Sequence, residues 1–381
     1  MALSPFLVDW ATGEVSRALA RVADCRLPAA PEGAGWSLGC DVDFLGRLRQ
    51  HWLEKFDWRA AQALLNRYPQ FRVELDGLPI HFVHVRGEGR APKPLLLTHG
   101  WPGSHFEFWE VIETLAFPSR HGGKTADAFD LVIPSLPGYG FSGKPARVMG
   151  QRQTAALWNH LMTEVLGYPR YLAQGGDWGA VVTSWLGLDF PQSVAAIHLN
   201  MLPFHAPVAP TTDEERQWAR RAGRAQQALS GYSVLQTVKP MALALAAADN
   251  PLGQAAWIVE RFHDWADLRE RDFEAVFSLD QLLTNIMIYV MTDSFASAAL
   301  YYPGVVQDGH TRLPQGVRCQ TPTAYSAFQD PLLPPPPRSR AELAYNIVRW
   351  REAPFGGHFA AAENPGWFAQ DVAAWGAELA L

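Results

Sequence analysis

The residue whose setting speaks most directly of chemistry is Asp177, in Gly175-Gly176-Asp177-Trp178-Gly179. A strand is predicted before it and a helix after it. This is the small-x-nucleophile-x-small spacing of a nucleophile elbow, with aspartate where serine usually stands. Glycines suit such a turn because it is tight and holds its central residue in strained geometry. Taken alone, the pentapeptide also fits a buried turn with a solvated aspartate. Chain order argues for more: Asp177 is followed by Asp330 and then His358, the sequence nucleophile, acid, base. With 12 histidines in the chain, a structural role is the default for any one of them. His358 departs from it because it lies in Gly356-Gly-His-Phe-Ala-Ala-Ala-Glu363-Asn-Pro365, a loop leading into the last predicted helix. A third piece, His99-Gly100-Trp101-Pro102-Gly103-Ser104, follows another predicted strand. The backbone N–H groups of Trp101 and Trp178 are expected to form an oxyanion hole. The side chain of His99 reads as a structural hydrogen-bonder.

An aspartate nucleophile restricts the substrate. Attack on an ester carbonyl would give a reactive anhydride, whereas attack on an sp³ carbon gives a stable alkyl ester of the enzyme. The substrate therefore carries a strained ring or a good leaving group: an epoxide or an alkyl halide. In a second step His358 would take a proton from water, which attacks the Asp177 carbonyl carbon. Asp330 would orient His358 and stabilise its cation.

The elements that must position these groups are legible in outline. Pro94–Thr98, Phe129–Pro134 and Tyr171–Gln174 read as short buried strands, each ending in a glycine-rich loop. The third is followed by a helical pattern to about Leu188. Strand–loop–helix order of this kind predicts a mostly parallel sheet with helices on both faces. Ligands bind such sheets at the strand carboxyl ends. Four stretches follow. Residues 1–90 are an N-terminal extension with a helix at Ala60–Arg67 and a hairpin, Phe71–Leu75 and Ile80–Val85, turning at Asp76-Gly77. Residues 91–204 are the first part of the α/β core. Residues 205–308 are helix-rich (Thr212–Ser230, Leu252–Trp265, Leu279–Tyr302), the signature of an inserted lid. Residues 309–381 complete the core, with a strand at Thr323–Phe328 and a helix from about Pro365.

Composition bounds the remaining options. The 381 residues are 48% apolar and 18% charged, enough to bury a sizeable core. The formal charge of −6 and the lack of a basic run give a nucleic-acid partner no electrostatic support. Three cysteines (Cys25, Cys40, Cys319) without ligand spacing point away from disulfides and metal. No apolar run approaches the roughly 20 residues of a spanning helix, and no secretion signal is visible, so a soluble, cytoplasmic protein without a membrane anchor is expected. The 15 tryptophans favour an aromatic-lined cavity.

Four motifs together carry a resemblance: Gly-Gly-Asp-Trp-Gly, His-Gly-Trp-Pro-Gly-Ser, Leu136-Pro-Gly-Tyr-Gly-Phe-Ser142 and Gly-Gly-His-Phe-Ala-Ala. The chain resembles the epoxide hydrolases of the α/β-hydrolase fold, specifically the microsomal and juvenile-hormone type. The likeness extends to Trp58–Arg86 and to lid segments Gly231–Pro240, Asn250–Gly253 and Leu282–Tyr289. The resemblance implies Asp177 as nucleophile, His358 as base, and Tyr232 and Tyr302 as lid tyrosines that protonate the epoxide oxygen, with Tyr301 as the alternative to Tyr302. For the triad acid the family often has Glu after Phe-Pro-x. Here Phe328-Gln329-Asp330-Pro331 offers a shorter acid one position earlier, so Asp330 is expected, with Glu342 as the other nearby carboxylate. Trp109, Phe108, Phe141 and Gln236 are expected in the substrate pocket, which points to a bulky or aromatic epoxide. No cofactor and no metal are expected; the partners are the epoxide and water, and a homodimer is left open. The Ala/Arg/Pro-rich composition looks bacterial, with detoxification or secondary metabolism as the role. The rival readings are a haloalkane dehalogenase using the same Asp177, and a non-catalytic ligand-binding member of the fold. His-Gly-Trp rather than His-Gly-Asn, together with the tyrosines, favours the epoxide.

Overall fold

The computed structural model describes residues 3–309 and 311–379. Their strands are β1 (Ser4–Phe6), β2 (Gln70–Leu75), β3 (Leu78–Val85), β4 (Lys93–Thr98), β5 (Phe129–Pro134), β6 (Tyr171–Gly175), β7 (Val194–Leu199), β8 (Cys319–Ala327) and β9 (Tyr345–Glu352). They join in one sheet of order β1-β2-β3-β5-β4-β6-β7-β8-β9. The β1, β2, β3 and β5 pairings are antiparallel, and every pairing from β5 across to β9 is parallel. The hairpin turns where Asp76-Gly77 predicts it: both residues have positive φ, 49° and 77°, which matches the right-handed twist of the flanking strands. Successive residues of β4 point to opposite faces. Leu96 enters one apolar cluster while Leu95 and Leu97 enter the other, so the sheet is covered on both sides.

Strand β4 has β5 on one side and β6 on the other. Chain order reverses there, and the loops after β4 and β6 open a crevice at their carboxyl ends. Those two loops hold His99–Gly103 and Gly175–Asp177. Their approach is close: a Cβ on Gly179 would lie 1.8 Å from the Thr98 carbonyl oxygen, so the elbow helix Asp177–Asp189 reaches β4 only because residue 179 has no side chain.

Residues 213–307 are helical, in the sequence Asp213–Leu229, Gly231–Val238, Pro240–Ala247, Pro251–Trp265, Phe273–Val276, Leu279–Thr292, Phe295–Ala299 and Tyr302–Gln307. Asn250 caps Pro251–Trp265 through its side chain, with proline at the first helical position. Ser278 and Gln281 form a reciprocal capping box at the start of Leu279–Thr292. The sequence predicts one long helix over Leu279–Tyr302, and the structure breaks it. Asp293 adopts φ 50° and its N–H turns back to the last carbonyls, a left-handed stop that re-aims the chain toward Tyr302. Strands β1, β7 and β9 and helices Thr12–Asp24 and Val42–Glu54 were not expected from sequence.

The N-terminal helices strap this helical layer in place. Trp36 stacks on His263 at 3.9 Å between ring centroids. Arg21–Asp249, Arg47–Glu274 and His51–Asp280 pair at 2.8, 2.7 and 2.6 Å. Each exposed pair contributes at most about 1 kcal/mol, whereas buried Phe44, Leu48 and Trp52 contribute about 1.5–3 kcal/mol each, so packing dominates. We predict that Gly179→Ala costs roughly 3 kcal/mol of stability, because its clash is with backbone that no rotamer change relieves. A urea-unfolding midpoint equal to the native one would refute this.

Candidate active site

Strand β6 delivers the elbow. Asp177 has φ 48°, a conformation that costs a non-glycine residue about 1–3 kcal/mol and lifts its carboxylate above the sheet edge. Its Oδ1 accepts the Trp101 N–H at 2.8 Å, and its Oδ2 lies 3.1 Å from His358 Nε2. On the other side of the ring, His358 Nδ1 is 2.8 Å from Asp330 Oδ2. Asp330 Oδ1 accepts the N–H groups of Leu332 and Leu333 at 2.8 and 3.0 Å, which fixes the carboxylate plane. Of the two candidate acids, Asp330 is the one that touches His358; Glu342 is paired with Arg338 at 2.7 Å on the surface. Burial opposes a charged imidazole, but Asp330 and Asp177 outweigh it and hold His358 well above its usual range. His358 is therefore held as an imidazolium between Asp330 and Asp177.

The oxyanion site is half visible in this state. Trp101 N–H already holds Asp177 Oδ1. Trp178 N–H lies in the first turn of the elbow helix, where N–H groups lack intrahelical acceptors. His99 does structural work: its Nε2 accepts the Leu136 N–H at 3.1 Å and its Nδ1 faces Gly100 O at 2.9 Å. Burial lowers it to about 4, so it is neutral.

Four aromatic side chains, Trp101, Trp178, Tyr232 and Tyr302, meet beside Asp177. Tyr232 stacks on Trp101 with ring centroids 5.2 Å apart and planes within 6°. Tyr302 stands edge-on to Trp178 at 4.7 Å and to Tyr232 at 5.9 Å, and its buried hydroxyl has no hydrogen-bond partner among the described residues. Tyr301 is turned away, donating to Thr154 Oγ1 at 2.7 Å. Tyr302 is thus the phenol of the pair that faces Tyr232. Burial, with Asp177 among the lesser causes, raises both Tyr232 and Tyr302 above the ordinary phenol range, and both are protonated donors at neutral pH.

The sequence-predicted pocket residues scatter. Phe108 packs on Phe368 on the far face of the sheet, and Phe141 packs on Phe6 and His81; both sit in the apolar core. Trp109 donates its indole N–H to Leu64 O at 3.1 Å and lines a small cavity beside the His105–Val111 turn. Gln236, one turn after Tyr232, accepts the Trp257 indole N–H at 2.9 Å and is buried among the cap helices. The aromatic bias of the chain gave no means of telling core from cavity. The cavity of about 1120 Å³ that opens at Trp178 is lined instead by Val181, Met201, Leu202, Trp218 and Val305 among others. Val181 comes from the elbow helix, Met201 and Leu202 from the loop after β7 and Trp218 and Val305 from the helical layer, beside His205, Arg312 and Arg340, with no motif to flag them.

Sequence reasoning also missed the groups that hold the base. His358 N–H donates to Trp265 O at 3.0 Å. Buried Glu363 accepts the N–H groups of Asp267, Gly357 and Phe359 at 2.8, 2.8 and 2.9 Å, and Asp267 accepts Gly356 N–H at 3.1 Å. The base loop is thereby tied to the cap. Arg261 is buried behind Tyr232, its guanidinium 5.3 Å from the phenol ring centroid. Among the described residues no group of three His, Cys, Asp or Glu side chains could hold a metal ion, and no helix is long and apolar enough to cross a membrane.

Comparison with known proteins places this geometry. Residues 3–108 match the family described as epoxide hydrolase N terminus, and residues 93–231 match the alpha/beta hydrolase fold. A Stigmatella aurantiaca protein provisionally named an epoxide hydrolase is 39% identical over 97% of this chain and 84% of its own length. Epoxide hydrolase 1 of Oryctolagus cuniculus is 33% identical over 97% of this chain and 88% of its own. The crystal structure of juvenile hormone epoxide hydrolase from the silkworm Bombyx mori superposes with a TM-score of 0.88 at 29% identity, covering 99% of this chain and 94% of that one. A shared fold, a shared N-terminal extension and near-complete coverage at these identities make the chain a member of the epoxide hydrolase family of the α/β-hydrolase fold.

Proposed function

We propose that the chain opens an epoxide to a vicinal diol through a covalent ester on Asp177. The observation that carries this is the double hold on the Asp177 carboxylate: Trp101 N–H on Oδ1 and His358 on Oδ2, at 2.8 and 3.1 Å, with Tyr232 and Tyr302 above. An Asp177 oxygen attacks an epoxide carbon and the C–O bond of the ring breaks. The departing alkoxide takes a proton from a lid phenol, a competent donor at neutral pH. Alkylation removes the Asp177 charge that helped hold His358 protonated, so the imidazolium becomes more acidic; its proton restores the phenol. Neutral His358 then takes a proton from water, whose oxygen attacks the Asp177 carbonyl carbon. The oxyanion forms on Asp177 beside the Trp101 and Trp178 amides. Collapse expels the diol, which leaves with the proton held by His358, and the Asp177 carboxylic acid left behind passes its proton to His358, restoring the resting pair. Asp330 keeps the imidazole oriented throughout.

In this reading residues 205–308 act as the lid, and the gorge at Trp178, about 1120 Å³ with Val181, Met201, Leu202 and Trp218 on its walls, has room for a bulky or aromatic epoxide. Buried, uncharged phenols stabilise a developing alkoxide without competing with Asp177 for the electrophilic carbon.

Three outcomes are expected. First, His358→Gln given styrene oxide accumulates a covalent adduct on the peptide containing Asp177, seen by mass spectrometry; normal turnover without adduct would remove His358 from its role. Second, Tyr232→Phe and Tyr302→Phe each slow single-turnover alkylation about 10- to 100-fold, the pair nearly stops it, and Tyr301→Phe leaves it within a few-fold. Because both phenols are held above their ordinary range, alkylation in the native enzyme also shows no alkaline decline up to about pH 9. Third, one turnover in ¹⁸O water places the label in residue 177 first. Label found at once in the diol means direct attack by water and ends the covalent scheme.

A further inference from the structure

A second carboxyl group stands near the reacting pair and has no part in the scheme so far. Glu107 lies in the 3₁₀ turn His105–Val111 that follows the His99–Ser104 loop. Its Oε2 is 3.0 Å from where a side chain on Gly103 would begin, and Asp177 Oδ1 is 2.3 Å from the same point on Gly100. The Gly100–Gly103 turn is therefore sandwiched between two carboxyl groups. Glu107 lies within electrostatic reach of both His358 and Asp177. The helix Ala360–Glu363, which begins two residues after His358, packs against the Glu107 turn.

Glu107 also faces a small cavity on this side of the site, separate from the gorge at Trp178. The cavity runs between the Glu107 turn, cap helices Pro251–Trp265 and Leu279–Thr292, and Ala362, with Phe106, Phe262, Phe277 and Leu282 in its walls. About 40 Å³ is open to the centres of water molecules, room for roughly three of them and too little for an organic epoxide. Most of its other polar side chains are already engaged. Ser104 and Asn285 bond each other at 2.9 Å, Asn285 also donates to Pro102 O at 2.9 Å, and Gln281 closes the capping box. Phe262, in turn, stacks on Phe359 beside His358 at 4.1 Å.

Resting on the covalent reading above, we propose that Glu107 binds the hydrolytic water, drawing it from this cavity and fixing it for deprotonation by His358. The Glu107 carbonyl oxygen accepts a hydrogen bond from the water and leaves the water's second hydrogen to His358 Nε2, with its lone pair toward the Asp177 carbonyl carbon. Glu107 gains and loses no proton over the cycle. Burial pushes it up to about 8, with His358 opposing and Asp177 assisting. At neutral pH it is therefore largely uncharged beside Asp177 and does not compete for the imidazolium. Epoxide enters by the gorge and water by the back, which keeps bulk water off the nucleophile during alkylation.

The test is single-turnover kinetics with styrene oxide on the native enzyme, Glu107→Gln and Glu107→Leu, resolving ester formation from ester hydrolysis, with thermal unfolding as a check on folding. The expectation is alkylation within two-fold of native for both variants. Hydrolysis should fall about 10-fold in Glu107→Gln, which keeps an acceptor, and about 100-fold in Glu107→Leu, so that the Asp177 ester accumulates. The pH profile of native hydrolysis should carry an ionisation that Glu107→Gln lacks. Native-rate hydrolysis in Glu107→Leu overturns the proposal, as does an equal fall in both steps, which marks Glu107 as mere support for the turn. A native enzyme that never forms the Asp177 ester sinks the covalent reading and this proposal with it, an outcome distinct from an ester that forms and hydrolyses normally in the variants.

Discussion

The molecule is organised around holding one carboxylate in a backbone conformation it would not choose. Asp177 at φ 48° carries about 1–3 kcal/mol of local strain. A hydrogen bond from Trp101 N–H to an ionised acceptor contributes about 1.5–3 kcal/mol, which offsets that strain. It can do so only if β4 and β6 are neighbours and the Gly179–Thr98 contact is tight. The third partner, His358, comes from a loop beyond β9, at the far end of the parallel run. Three segments distant in the chain therefore converge on one side chain, and the sheet order is the means of convergence.

The surroundings set the electrostatics. His358 is charged at rest because Asp330 and Asp177 flank it, and in the proposed scheme loss of the Asp177 charge on alkylation makes it a base. The phenols are kept neutral by burial, so they remain donors. Cap and core thus supply opposite requirements within a few ångströms: a charged triad from the sheet, and uncharged donors from the helical layer.

The sequence revealed the centre of this arrangement better than its edges. Gly-Gly-Asp-Trp-Gly and Gly-Gly-His are legible because turn geometry demands glycine at fixed places, and the hairpin at Asp76-Gly77 is legible for the same reason. The choice of Tyr302 over Tyr301 was not. Adjacent residues at a helix start differ only in which way the turn aims them, and Asp293 sets that aim from nine residues away. Phe108 and Phe141 show the limit of composition, since an aromatic ring suits a sheet core as well as a cavity wall. β9, Tyr345–Glu352, was missed because Arg349, Arg351 and Glu352 break the apolar pattern of an edge strand. Glu363 and Glu107 were missed because nothing in local sequence distinguishes a carboxylate that collects buried amides, or faces a base, from one in solvent.

The bonds from His358 N–H to Trp265 O and from Asp267 N–H to Glu363 have a mechanical meaning. They act as an interlock between gate and engine: a swing that lifted the helix ending at Trp265 would drag the imidazole off Asp177. In the covalent reading an opened gate is then a disarmed catalyst, and reactant and product would pass through side passages while the roof stays shut. For anyone exchanging roofs between relatives to change selectivity, the splice belongs outside residues 265–267, so that the incoming piece brings its own half of the interlock.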